Sequence, residues 1–166
     1  MALYAIGDLH LSLSSNKPMD VFGEGWKDYV RRIGEGFSQL NDEDVTVLCG
    51  DLSWGMSLEE SLEDFRFIDA LPGRKILLKG NHDYWWNTKK KMDEFFLENK
   101  FEALSVLHNN AYRVGDISIC GTRGWFFDAE SDLDKKVVKR EAERLRRSIE
   151  CGEKLGGEPV VFLHYP

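Results

Sequence analysis

Four short stretches carry side chains able to grip a metal ion: GDLH (7–10), GD (50–51), GNHD (80–83) and the histidine closing VVFLH (160–164). Asp8 and His10 stand two residues apart, so in an extended segment both can reach one point in space. Asp8, His10, Asp51, Asn81 and His164 together offer carboxylate, imidazole and amide-oxygen donors. That mixed nitrogen and oxygen set suits Mn, Fe, Zn, Ni or Co rather than a soft, thiolate-seeking ion. Five ligands are too many for a closed tetrahedral site. Two divalent ions about 3.5–4 Å apart, sharing one carboxylate, would use them all.

Charge gives such a pair a task. Two divalent cations bring four positive charges and the two aspartates return two, so an anionic substrate is favoured and a bridging water ionises near neutral pH. Phosphate esters are the obvious anions. His82 is not needed as a ligand. Asp83 beside it can hold its ring, leaving His82 to stabilise the transition state or protonate the leaving oxygen.

The elements that must position these residues can be read from periodicity. Residues 3–7, 45–50, 75–80, 111–114, 117–121 and 159–164 form short runs rich in β-branched and aliphatic residues and read as strands, with a tight hairpin at RVGDIS. Most of these runs end in glycine or a polar residue, and in open α/β sheets sites are built at the carboxyl ends of strands. Trp26, Tyr29, Val30, Ile33, Phe37 and Leu40 share one helical face. A second helix is expected from the Ser57–Glu60 capping box to about Leu71, a third over 88–98 and a fourth over 132–151. The alternation predicts an α/β fold with a mixed sheet or two packed sheets.

In the fourth helix, residues 135–147 hold seven basic side chains against two acidic. Acid at its start and base toward its end complement the helix dipole, which marks a solvated surface helix. Trp54, Tyr84 and Trp85 follow the site motifs and are candidates to place rings about a substrate. Arg123 is a candidate to grip a phosphate bidentately. Trp86, Phe126 and Phe127 are expected to pack, and His108 to be structural.

The 166 residues are enough for one core, and no linker divides them. A net charge of −7 disfavours nucleic acid and anionic membrane as partners. No apolar run approaches a membrane span and no signal peptide opens the chain, so a cytoplasmic protein is expected. Cys49, Cys120 and Cys151 show no spacing suited to disulfides or a thiolate zinc site.

In this order and spacing, GDLH, GD, GNHD and the late strand-terminal histidine resemble the calcineurin-like metallophosphoesterase family, in its bacterial phosphohydrolase form. The resemblance implies a β-sandwich of two mixed sheets flanked by helices. It implies one metal held by Asp8, His10 and Asp51, a second held by Asp51, Asn81 and His164, and His82 as the catalytic histidine. The family also carries a G-H-x-H segment after the His164-type strand, which this sequence lacks. The single domain is therefore expected to be missing its last strands, and the chain to be a piece of a longer protein.

Taken singly, Asp8 and Asp51 can be turn formers, His164 a core histidine and Asn81 a left-handed turn residue. All four standing at successive strand ends favours metal. The expected function is hydrolysis of a phosphomonoester or phosphodiester by a dimetal-bridging hydroxide. The substrate is expected to be small and phosphorylated, with nucleotide-like compounds among the candidates. Rival readings are a catalytically silent scaffold of the same fold and a nuclease of the same family. Substrate, native metal and oligomeric state are not legible.

Overall fold

Consecutive parallel strands need a crossover, and right-handed crossovers between strands laid down in order put every connecting helix on one face of the sheet. A computed structural model, which describes residues 1–125 and 131–165, has this arrangement. The first sheet contains β1 (Leu3–Ile6), β2 (Val45–Leu48), β3 (Arg74–Leu77) and β4 (Leu104–Val106), in that order and all parallel. Between them run α1 (Tyr29–Phe37), α2 (Leu62–Ala70) and α3 (Lys89–Glu98).

The second sheet contains β5 (Tyr112–Val114), β6 (Ile117–Thr122) and β7 (Glu158–Leu163). β5 and β6 form the expected antiparallel hairpin, while β6 and β7 run parallel, joined through α4 (Asp132–Lys154). The described strands of the first sheet are thus all parallel, and the second sheet holds the mixture.

The period of two along each strand divides the apolar residues between two cores. Leu48, Leu77, Leu104 and Val106 join Phe37, Phe65, Ile68, Met92 and Phe96 beneath the three helices. Val45, Val47, Ile76 and Leu78 turn the other way and meet Val114 and Ile119 of the second sheet. α4 covers the far side of that sheet, so the layers run helix, sheet, sheet, helix. No described helix is long and apolar enough to cross a membrane.

Two boundaries depart from the periodicity. Trp26 lies in a 3-10 turn (Glu24–Trp26) ahead of α1 instead of on its face. The Ser57–Glu60 box does form, since Ser57 Oγ accepts from the Glu60 amide and Glu60 Oε2 accepts from the Met56 amide. It closes an irregular turn, however, and α2 begins only at Leu62. The short strand β4 was not apparent from the sequence. The packing expected of Phe126 and Phe127 lies outside the described residues.

At the end of the first sheet remote from the GD motifs, Lys75 is fully buried. Its ammonium donates to the carbonyls of Asp69 (3.1 Å), Gly73 (2.7 Å) and Leu71 where α2 ends. Burial pulls its pKa down to about 8, against the opposing pull of Asp69 and Asp42. The unfolded chain keeps this proton to near its ordinary value of 10.5, so between those pH values it binds more protons than the folded chain. Stability contributed by Lys75 therefore rises with pH across that window. Lys75→Met should flatten this rise in urea melts run between pH 8 and 10.5. At pH 7 it should cost about 1–3 kcal/mol, because three carbonyls, that of Leu71 buried, lose a donor.

Candidate metal centre

The strand ends meet because the register carries past the strands. The Asp8 amide donates to Gly50 O, His10 to Asp51 O and Leu11 to Leu52 O, each at 2.9 Å. Asp8, His10 and Asp51 all adopt positive φ, at 57°, 44° and 54°. Left-handed backbone at non-glycine residues is uncommon and is kept where surrounding structure enforces it. Here it occurs at three of the five expected ligands.

Gly50 and Gly80 bring the second and third motifs into backbone contact. A Cβ on Gly50 would stand 2.6 Å from Gly80 Cα, and one on Gly80 would stand 2.1 Å from Asp51 Oδ1 and 2.2 Å from its amide. Only glycine fits at either place. Gly50 needs the freedom of glycine for its φ of 92°, whereas Gly80 is required for proximity.

Asp51 is buried, and its two oxygens face different neighbours. Oδ2 lies 3.7 Å from His10 Nε2, which is 3.6 Å from Asp8 Oδ1. Oδ1 lies 3.6 Å from His164 Nε2, which is 2.8 Å from Asn81 Oδ1. Donor atoms of Asp8, Asp51 and His164 fall within 4.8 Å of one another. Two donors each about 2.0–2.2 Å from a shared ion stand roughly 3–3.6 Å apart, so these spacings are close to those of ligands around a cation.

The orientation of His164 adds a chemical argument. Its Nδ1 sits 2.8 Å from the Cys49 carbonyl, which can only accept, so Nδ1 carries the proton. Nε2 faces the oxygens of Asp51 and Asn81, where it could join them as a ligand to one cation. The donor set fits a divalent-metal site, with the buried Asp51 carboxylate facing both His10 and His164. Cys49 itself stays a protonated thiol, since burial and then the charge of Asp8 raise its pKa to about 11.

The residues around this core depart from several expectations. The Asp83 carboxylate does not hold the His82 ring. It is buried and accepts from the amides of Gly80 (2.7 Å), Asp51 (2.8 Å) and Leu52 (2.8 Å) and from Trp85 Nε1 (2.9 Å). Burial raises its pKa, and the backbone N–H donors oppose that rise. Its role is to tie the second motif loop to the third. The His82 amide donates to Asp51 Oδ1, and its ring Nδ1 lies 3.2 Å from the Tyr84 hydroxyl.

Trp85 is 1% exposed, with its ring edge-on to Phe65 at 4.8 Å, so it is a core residue and not a substrate platform. Arg123 does not extend toward the ligand cluster either. Its guanidinium sits 3.5 Å from buried Glu141 and over the Trp125 ring at 4.5 Å. Its carbonyl accepts from the His164 and Tyr165 amides, so it serves the site through its main chain. Tyr84 does stand at the site, half exposed. Trp86 packs against the helical core, and its ring meets His108 edge-on at 5.9 Å.

Trp54, a candidate ring at the site, stacks on the His10 ring (5.0 Å, 24°). Two contributors escaped the sequence reading: Trp26 meets the His10 ring edge-on, and Tyr29 donates to the His10 carbonyl. Trp26 and Tyr29 gave only a helical-face signal in the sequence.

Residues 1–163 match the family model described as calcineurin-like phosphoesterase. Among solved structures, a protein of unknown function from Aquifex aeolicus aligns with a TM-score of 0.48 at 21% identity, covering 98% of this chain and 90% of that one. Phosphopantetheinyl hydrolase from Mycobacterium tuberculosis aligns with a TM-score of 0.47 at 16% identity, covering 99% and 68% respectively. No curated protein matches the sequence.

The contact between the two glycines makes a sharp test. Gly80→Ala should drive Asp51 away from His10 and His164. We expect a stability loss of about 1–3 kcal/mol from overpacking. Affinity for Mn or Zn should fall by at least about 10-fold, measured by calorimetric titration of the folded variant.

Proposed function

The chain belongs to the calcineurin-like phosphoesterase family, and on that premise we propose that it is a metal-dependent phosphoesterase acting on a small phosphorylated substrate. The observation that carries the reading is the division of Asp51, one oxygen facing Asp8 and His10 and the other facing Asn81 and His164. Asp8, His10 and Asp51 would hold one divalent ion, and Asp51, Asn81 and His164 a second. Such ions, when bound, neutralise phosphate charge and lower the pKa of water into the neutral range.

The chain's own residues do the rest. Asp83 fixes the Asp51 main chain, so the shared carboxylate need not reorganise during reaction. The Cys49 carbonyl sets the His164 tautomer that leaves Nε2 free to ligate. Trp54 and Trp26 close two sides of His10. Asp8 is exposed and the His82 ring has Trp54 and Tyr84 as neighbours, so both stand where an incoming ester arrives. His82 would offset charge on the phosphoryl or leaving oxygen. A cytoplasmic setting belongs to the same proposal, in keeping with three free cysteines.

An aryl phosphate and an aryl phosphodiester, each supplied with Mn, test the reading and separate mono- from diesterase. Turnover of either one, with about two metal ions per chain by elemental analysis, is the expected result. Asp51→Asn should lose both ions together and at least about 100-fold in kcat/KM. Metals bound with no turnover of either ester would overturn the enzyme reading in favour of a silent scaffold.

A further inference from the structure

His82 has an unusual neighbour. The carboxylate next to it in sequence is committed to four backbone amides and an indole, so it leaves the ring alone. The polar group facing His82 Nδ1 is instead the Tyr84 hydroxyl, at 3.2 Å. The two rings stand edge to face, with centroids 6.0 Å apart at 80°, and Trp54 borders His82 at 5.1 Å. The main chain locks both residues: the His82 amide donates to Asp51 Oδ1, and the Tyr84 amide donates to the His82 carbonyl at 2.9 Å. The hydroxyl is therefore held against the ring by a short turn pinned to Asp51.

The kind of partner decides what the ring can do. A carboxylate can only accept, so it would place a proton on Nδ1 and leave Nε2 a lone pair or a positive charge. A phenol can donate as well as accept, which a carboxylate cannot. Donation to Nδ1 puts the ring proton on Nε2, the nitrogen turned away from Tyr84.

We propose that Tyr84 is the positioning residue for His82, its hydroxyl engaging Nδ1 and setting Nε2–H toward the substrate as a hydrogen-bond donor. This rests on the phosphoesterase reading and sharpens it. With Nδ1 occupied by the hydroxyl, Nε2–H is the donor left to meet charge developing on oxygen. Tyr84 keeps about half its surface exposed, so its hydroxyl does this at the rim of the site and not within the core.

Long-range proton–nitrogen correlation spectra of the metal-loaded protein, labelled with nitrogen-15 at histidine, read the tautomer directly. His82 is assigned by its loss in His82→Asn. The expected result is an Nε2–H ring in the wild type that becomes a tautomer mixture in Tyr84→Phe, a variant that retains the ring and its packing. On the aryl phosphate, Tyr84→Phe should lower kcat about 3- to 10-fold with KM little changed, the effect of one hydrogen bond. An Nδ1–H ring in the wild type, or a tautomer that ignores Tyr84→Phe, overturns the proposal. The spectra read the ring whether or not either ester is hydrolysed, so this inference and the phosphoesterase reading can fail separately.

Discussion

A single buried carboxylate, that of Asp83, sets the position of everything in the centre. Carboxylates out of water are costly unless hydrogen-bonded, and this one collects amides from both the second and the third motif loops. Those bonds draw Gly50 and Gly80 into backbone contact, a separation that any side chain would forbid. Asp51 then has one place to stand, between His10 and His164. The left-handed backbone at Asp8, His10 and Asp51 is held by the same network, since their amides and carbonyls are engaged across the loops.

The layered scaffold supplies the remaining constraint. Parallel strands in sequential order bring three loop ends to one edge, and the second sheet contributes His164 from across the interior. Behind it, Glu141 is buried against Thr122, Arg123 and Arg144, which anchors α4 to the strand end preceding the His164 contact. Polar groups buried on that scale keep their place only when satisfied together. The outer helix thus bears on the site through Arg123, whose carbonyl holds two amides of the segment carrying His164.

Much of this was legible from residue types. Strand-terminal polar residues, read with strand alternation, picked out five candidate ligands, and the structure places their side chains near one another. The errors share a cause. Asp83 looked like a partner for the neighbouring ring because sequence displays side chains and hides backbone amides, which are its true partners. Trp85 looked like a platform because adjacency in a loop does not reveal which way a turn sends each side chain. Its 1% exposure follows from the indole reaching back to Asp83. Arg123 looked free because its counter-charge, Glu141, lies eighteen residues away on a helix whose exposed arginines dominated the reading. β4 is three residues long, too short for alternation to register.

The contact between His164 and the Cys49 carbonyl joins positions 115 residues apart. Closing a loop of that size surrenders chain entropy before any compensation arrives, so nucleation falls to the nearer β–α–β pairings of the first sheet. The side of the centre that faces His164 is thus closed by contacts spanning 83 to 115 residues of chain, the part of the site that most depends on β7 standing beside β6.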